Sequence, residues 1–193
     1  MFRRRAVPST IAVTVAAAAV LAARTRRVSP AEERVFRQIN GAPDALHVAL
    51  WPVMQMGSLG AAFVAAGIVR RQHGDARRAM IVAGAGTAVW GGVKLIKPLV
   101  GRGRPARHLD DVRVRGAEQT GLGFPSGHAA VSMALALIAT ESPYARRLAV
   151  AAAAVTGIGR IYVAAHLPLD VVAGSAAGWL VGRAVSDRLG APT

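Results

Sequence analysis

From residue 45 to residue 69 the chain carries no formally charged side chain. That run exceeds the about 20 residues an α-helix needs to cross the hydrocarbon core of a bilayer. Coiled into a helix, it pairs its own backbone donors and acceptors, which lipid cannot do for it. Other apolar stretches occupy residues 6–23, 79–100, 127–140, 148–165 and 168–185. The pattern predicts an all-α fold, a six-transmembrane-helix bundle without a soluble domain. Residues 45–189 read as the membrane core, 1–44 as an N-terminal anchor span followed by an interfacial helix, and 190–193 as a tail.

Residues 6–23 lie between Arg3, Arg4 and Arg5 on one side and Arg24, Arg26 and Arg27 on the other. A cleaved signal peptide and a retained anchor both start this way, but the arginines after the apolar stretch suit an anchor. Ser29-Pro30-Ala31-Glu32 then has the form of a capping box with proline in the first turn. The short helix it opens should end near Asn40-Gly41. Val35, Phe36 and Ile39 share one side, with Glu32, Glu33, Arg34 and Arg37 largely elsewhere, so the helix is expected to be amphipathic and to lie at the membrane interface. Small residues recur at helical spacing in the third span (Ala83, Thr87, Gly91 and Gly84, Ala88, Gly92) and in the sixth (Gly174, Gly178, Gly182), where neighbouring backbones can approach closely.

The 193 residues carry a net charge of +14 and no cysteine. A disulfide framework is excluded. The cations cluster at the ends of apolar segments rather than along a soluble face, so anionic membrane lipid is the expected partner and nucleic acid is not. Counting crossings brings the end of span three, the start of span four and the junction of spans five and six to one membrane face. The short basic turns at 70–78 and 146–147 lie on the other, which tips the charge balance toward an extracytoplasmic site on a protein of the plasma membrane.

Three polar clusters mark that common face. Lys97 stands near Arg104-Pro105, with Pro98, Gly101 and Gly103 between them allowing the chain to fold Arg104 back. Both cations can hold phosphoryl oxygens, or Lys97 and Lys94 can snorkel while the arginines bind headgroups. Pro125-Ser126-Gly127-His128 opens span four, with Ser126 as N-cap. It is either an ordinary cap or an anion site where glycine admits a phosphate to the backbone amides. That span is short, so either its start is recessed below the membrane surface or the bilayer thins around it. Arg160 lies inside an apolar span and calls for an anionic partner. His166 follows, about 9 Å further along if the helix continues. Asp170 can reach back to Nδ1 of His166 and free Nε2 as a nucleophile, or the two can form a structural pair between helices. His47, His73 and His108 have no comparable setting, and the loop around His108, Asp110, Asp111, Arg113 and Arg115, which covers the site, reads as solvated, with substrate selection as the alternative.

In order, spacing and placement, Lys97-x6-Arg104-Pro105, Pro125-Ser126-Gly127-His128 and Arg160-x5-His166-x3-Asp170 resemble the three signature motifs of the type 2 phosphatidic acid phosphatase (PAP2) superfamily. The resemblance implies a membrane phosphatase acting on a lipid phosphate or diphosphate such as undecaprenyl diphosphate, phosphatidic acid or phosphatidylglycerophosphate. It implies His166 as the nucleophile that forms a phosphohistidine, Asp170 as its orienting acid and His128 as the proton donor to the leaving oxygen. Lys97, Arg104, Ser126, Gly127 and Arg160 would bind the phosphate, and neither metal nor other cofactor is implied. Two alternatives remain at this point, a lipid-linked phosphotransferase and a lipid-phosphate carrier that does not hydrolyse. One position departs from the motifs: Gly159 stands where serine is usual, and the missing hydroxyl bears on substrate affinity.

Overall fold

The computed structural model describes residues 7–189. Arg3, Arg4, Arg5 and residues 190–193 lie outside the described residues. The helices are α1 Val7–Arg24, α2 Pro30–Asn40, α3 Leu46–Gln55, α4 Leu59–His73, α5 Ala76–Val100, α6 Gly127–Ile138, α7 Pro143–Tyr162 and α8 Pro168–Arg188. Among the described residues there is no β-strand, only an isolated antiparallel bridge between Gly103 and Leu122. Local chemistry sets most of the boundaries. The hydroxyls of Ser29, Ser58, Ser126 and Ser142 and the carboxylate of Asp75 cap α2, α4, α6, α7 and α5. Gly101, at φ 69°, ends α5 in the left-handed region that glycine enters without strain.

Helix α6 is the axis of the molecule. Every residue from Ala129 to Ile138 is buried, with α4 and α5 on one flank and α7 and α8 on others. The glycine repeat of α8 faces it. A Cβ on Gly174 would overlap the carbonyl of Ser126, and one on Gly178 that of Ala130, so this repeat serves packing within the chain. The small residues of α5 behave differently. Among the described residues nothing lies within 4 Å of a Cβ built on Gly84, Gly91 or Gly92, and it is Gly86 that closes on Ala62 of α4. Composition marks small residues, but only packing decides which face is used.

The uncharged run 45–69 is not one straight helix. It breaks into α3 and α4, bent by 66°, where Ser58 caps α4 and Gly57 lies against the backbone of His128. The bend therefore packs on the first turn of α6. Among the described residues α5 alone is a single helix long and apolar enough to cross a bilayer, and α3 with α4 meets the same test as a bent pair.

Helix α2 forms where the capping box placed it, with the Ser29 hydroxyl accepting from the Glu32 amide at 3.2 Å. Its faces are arranged otherwise than expected. Glu32 is buried on the same side as Phe36 and Asn40, while Val35 is exposed. A carboxylate tolerates that position because an arginine meets it there.

Candidate active site

Three segments converge at one end of the bundle: the end of α5 with the loop after it, the first turn of α6, and the turn between α7 and α8. The Ser126 amide donates to the Asp170 carbonyl at 2.8 Å. Arg104 Nη1 donates to the Ala165 carbonyl at 2.6 Å and its Nε to that of Thr120 at 3.0 Å. Arg104 does fold back, as the glycines on either side of Arg102 allow.

The turn that carries His166 departs from a simple helical continuation. Helix α7 stops at Tyr162, Ala164 takes φ 61°, and the amides of Ala165 and His166 both return to the Arg160 carbonyl, at 3.0 and 3.2 Å. The chain reverses, so His166 sits beside Arg160 instead of a turn and a half beyond it. Nδ1 of His166 is 3.5 Å from Oδ2 of Asp170, a long contact of the kind that tightens when substrate binds. Burial holds the imidazole pKa well below its ordinary value, while the hydrogen bond and charge of Asp170 oppose that shift. A neutral ring results, the form a nucleophile requires.

Ser126 is fully buried and its hydroxyl accepts from the Ala129 amide at 3.4 Å. Gly127 opens α6, with only Val93 within reach of an added Cβ. His128 follows in the first turn, within Coulombic reach of Arg160, His166, Arg104 and Lys97. Arg160 is half-buried, and its Nε has no hydrogen-bond partner among the described residues. Its guanidinium has donors free for an anion.

Lys97 does not snorkel. Its Nζ donates to the carbonyls of Leu122, Gly123 and Pro125 at 3.0, 2.9 and 3.1 Å. All three donors of the ammonium are engaged, so the lysine fastens the loop that leads into α6 and contributes its charge at a distance. Lys94 instead lies over the Trp90 ring, 3.6 Å from its centroid.

Sequence reasoning does not single out Arg102. The side chain is wholly buried. It donates to both Glu32 oxygens at 3.0 and 2.6 Å and to Oδ1 of Asp170 at 3.1 Å. Burial alone would lower its pKa, but Glu32 first and Asp170 next outweigh that and raise it. Nothing in the sequence separated this arginine from its neighbours, because its partner lies 70 positions away.

The loop after Arg107 is tied down rather than freely solvated. Arg115 donates to the carbonyls of Asn40, Tyr162 and Ala42 at 2.9, 2.7 and 2.7 Å, to Asp44 at 2.8 Å, and stacks on the Tyr162 ring. Gly159 is explained by packing: a Cβ there would come within 2.7 Å of Met54 Cγ. The space of the usual serine side chain is filled from α3.

A helical membrane-type bundle that gathers two histidines, an aspartate and several arginines around one helix N-terminus defines a class. Residues 78–189 match the PAP2 superfamily, and the chain belongs to it. Two relatives, the decaprenylphosphoryl-5-phosphoribose phosphatases of Mycobacterium tuberculosis strains CDC 1551 / Oshkosh and ATCC 25618 / H37Rv, are each 40% identical over 118 residues. Those residues make up 59% of this chain and 63% of theirs, so it spans less than two thirds of their length. The fold is similar to that of Aquifex aeolicus LpxE, with a TM-score of 0.68 and 25% identity over 79% of this chain and 92% of that one. It is also similar to the first transmembrane PAP2 type phosphatidylglycerolphosphate phosphatase from Bacillus subtilis, with a TM-score of 0.70 and 18% identity over 94% and 93% of the two chains.

Proposed function

We propose that the protein is an integral membrane phosphatase that hydrolyses a lipid phosphate at an extracytoplasmic site of the plasma membrane. In this reading α1, the bent pair α3–α4, α5, α6, α7 and α8 are the six crossings, and α2 lies at the interface. The observation that carries the reading is the meeting of a buried His166, backed by Asp170, with His128 and with Arg160, whose Nε has no partner among the described residues. Nε2 of His166 attacks phosphorus and His128 gives a proton to the leaving oxygen. Water then attacks the phosphohistidine, returns a proton to His128 and releases phosphate with His166 restored. Arg104, Arg160 and the amide at Gly127 stabilise charge on the phosphoryl oxygens, the Ser126 amide being taken by the Asp170 carbonyl, and Lys97 adds its field.

A cavity of about 210 Å³ adjoins Arg160, lined by His47, Trp51, Gln55, Arg115 and Gln119 among others. Arg115 is occupied by protein acceptors, so beyond Arg160 the cavity has no free cation for a second phosphate. An indole face and two amides suit a neutral polar group such as a sugar. This favours a phosphosugar carried on a polyprenyl phosphate, the chemistry named for the mycobacterial relatives, over undecaprenyl diphosphate.

The test is phosphate release by the detergent-purified full chain, in EDTA, over a panel that includes decaprenylphosphoryl-5-phosphoribose, undecaprenyl diphosphate, phosphatidic acid and phosphatidylglycerophosphate. Release from the phosphosugar lipid, vanadate inhibition and loss of turnover in His166→Ala are expected. Activity surviving in His166→Ala removes the nucleophile from the scheme. Faster release from the diphosphate overturns the reading of the cavity. Phosphate passed to an added alcohol in preference to water makes the protein a transferase.

A further inference from the structure

Glu32 belongs to α2, well before the family-matched residues 78–189, yet its carboxylate is almost wholly enclosed beside the candidate catalytic centre. We propose that Glu32 is a positioning residue of this active site, which acts through Arg102 to set where Asp170 stands and how much of its negative charge faces His166. The proposal rests on the reading of Asp170 as the acid that orients the nucleophile.

The geometry is that of one guanidinium shared by two carboxylates. Glu32 takes Nη1 and Nη2 of Arg102 at 3.0 and 2.6 Å, while Oδ1 of Asp170 takes Nη1 at 3.1 Å. The cluster keeps one net negative charge, so Asp170 is not neutralised by a cation of its own. Without the Glu32 charge, Arg102 belongs to Asp170 alone, draws its electron density away from His166 and weakens its hold on the Nδ1 proton.

The same two acids also fix the backbone on which Asp170 stands. Glu32 Oε1 accepts from the Leu169 amide at 2.9 Å, and Asp170 Oδ2 accepts from that of Leu167 at 3.0 Å. Both amides belong to the entry of α8, where the helix dipole also favours a carboxylate. The active site is thus completed from outside the matched segment. Arg102 is fully enclosed and Glu32 nearly so, and neither reaches substrate, so the effect falls on turnover and not on binding.

The experiment uses the full chain in detergent with whichever lipid phosphate the wild-type protein hydrolyses. Glu32→Gln is expected to lower kcat by about 10- to 100-fold with KM unchanged. Glu33→Gln, whose carboxylate pairs with Arg37 at the surface, should change neither. In an Asp170→Asn background Glu32→Gln should add little further loss, because the charge it acts through is gone. A fully additive loss, or a change in KM alone, overturns the proposal. Arg102→Lys is the second variant should Glu32→Gln fail to fold, and it should show the same loss in kcat. A readout free of turnover is the ¹⁵N resonance of His166 Nδ1, assigned by its absence in His166→Gln. It should move in Glu32→Gln and stay in Glu33→Gln. An unmoved resonance overturns the proposal even in a protein that hydrolyses nothing, whereas a wild-type protein inactive on every lipid phosphate overturns the phosphatase reading alone.

Discussion

Nη1 of Arg102 stands 3.1 Å from Oδ1 of Asp170, and neither side chain is exposed to solvent. The second oxygen accepts from the Leu167 amide at 3.0 Å and lies 3.5 Å from Nδ1 of His166, so one carboxylate serves a permanent cation, a backbone amide and an imidazole. An acid held at both oxygens has its orientation fixed before any ligand arrives.

The first prediction concerns that pair. Arg102→Leu leaves the carboxylates of Glu32 and Asp170 buried together with no cation between them. Removing one partner from a buried ionic cluster destabilises by about 3–5 kcal/mol. Thermal unfolding in detergent should show a large drop for Arg102→Leu and a smaller one for Arg102→Lys, which keeps the charge but loses the fork.

Glycines on two helices should respond in opposite directions. Gly178→Ala drives a Cβ into the Ala130 backbone, and backbone cannot swing aside as a side chain can. A loss of at least about 1–3 kcal/mol is expected from such overpacking. Gly84→Ala meets nothing within 4 Å and replaces a poor helix former with the best one, a gain of up to about 1 kcal/mol. The two variants measured side by side test which glycine repeat carries the packing.

Gly159→Ser tests the departure from the family pattern. The added side chain meets Met54 on α3, not the phosphate site, so it should cost about 1–3 kcal/mol and leave KM for the lipid phosphate unaltered. Gly159→Ser with Met54→Ala should recover part of the stability. A several-fold improvement in KM from Gly159→Ser alone would show that the hydroxyl reaches substrate.

The protonation of His166 predicts a pH trend. Its folded pKa lies below the ordinary value because burial disfavours the charged ring. The unfolded state therefore binds the proton more readily. The stability due to the neutral ring is fully present above about pH 6.5 and is lost as pH falls from there toward the folded pKa. Unfolding midpoints between pH 7 and 5 should decline in the wild-type protein, and the decline should be shallower in His166→Gln.

Much of this arrangement was legible in the chain. The apolar runs and the serine caps predict helices that form close to the expected positions. Crossing parity predicts that Lys97, Arg104, Ser126, His128, His166 and Asp170 gather at one end, and the hydrogen bonds from Lys97 to Pro125, Ser126 to Asp170 and Arg104 to Ala165 link those clusters. Less legible were the break at Gly57-Ser58 and the reversal at Ala164. A glycine or alanine in an apolar run carries no local mark of the backbone that will press against it.

Sequence by itself determined most of the helices and the polar clusters at their ends, because hydropathy, capping and motif spacing are local properties that each segment carries wherever it lies. Tertiary structure alone decided the roles within the site. Lys97 became a clamp on three carbonyls, Gly159 made room for Met54, and Arg102 joined Glu32 to Asp170. The reason is physical: the cost of burying a charge, and the partner that offsets it, depend on what other segments bring to the same place.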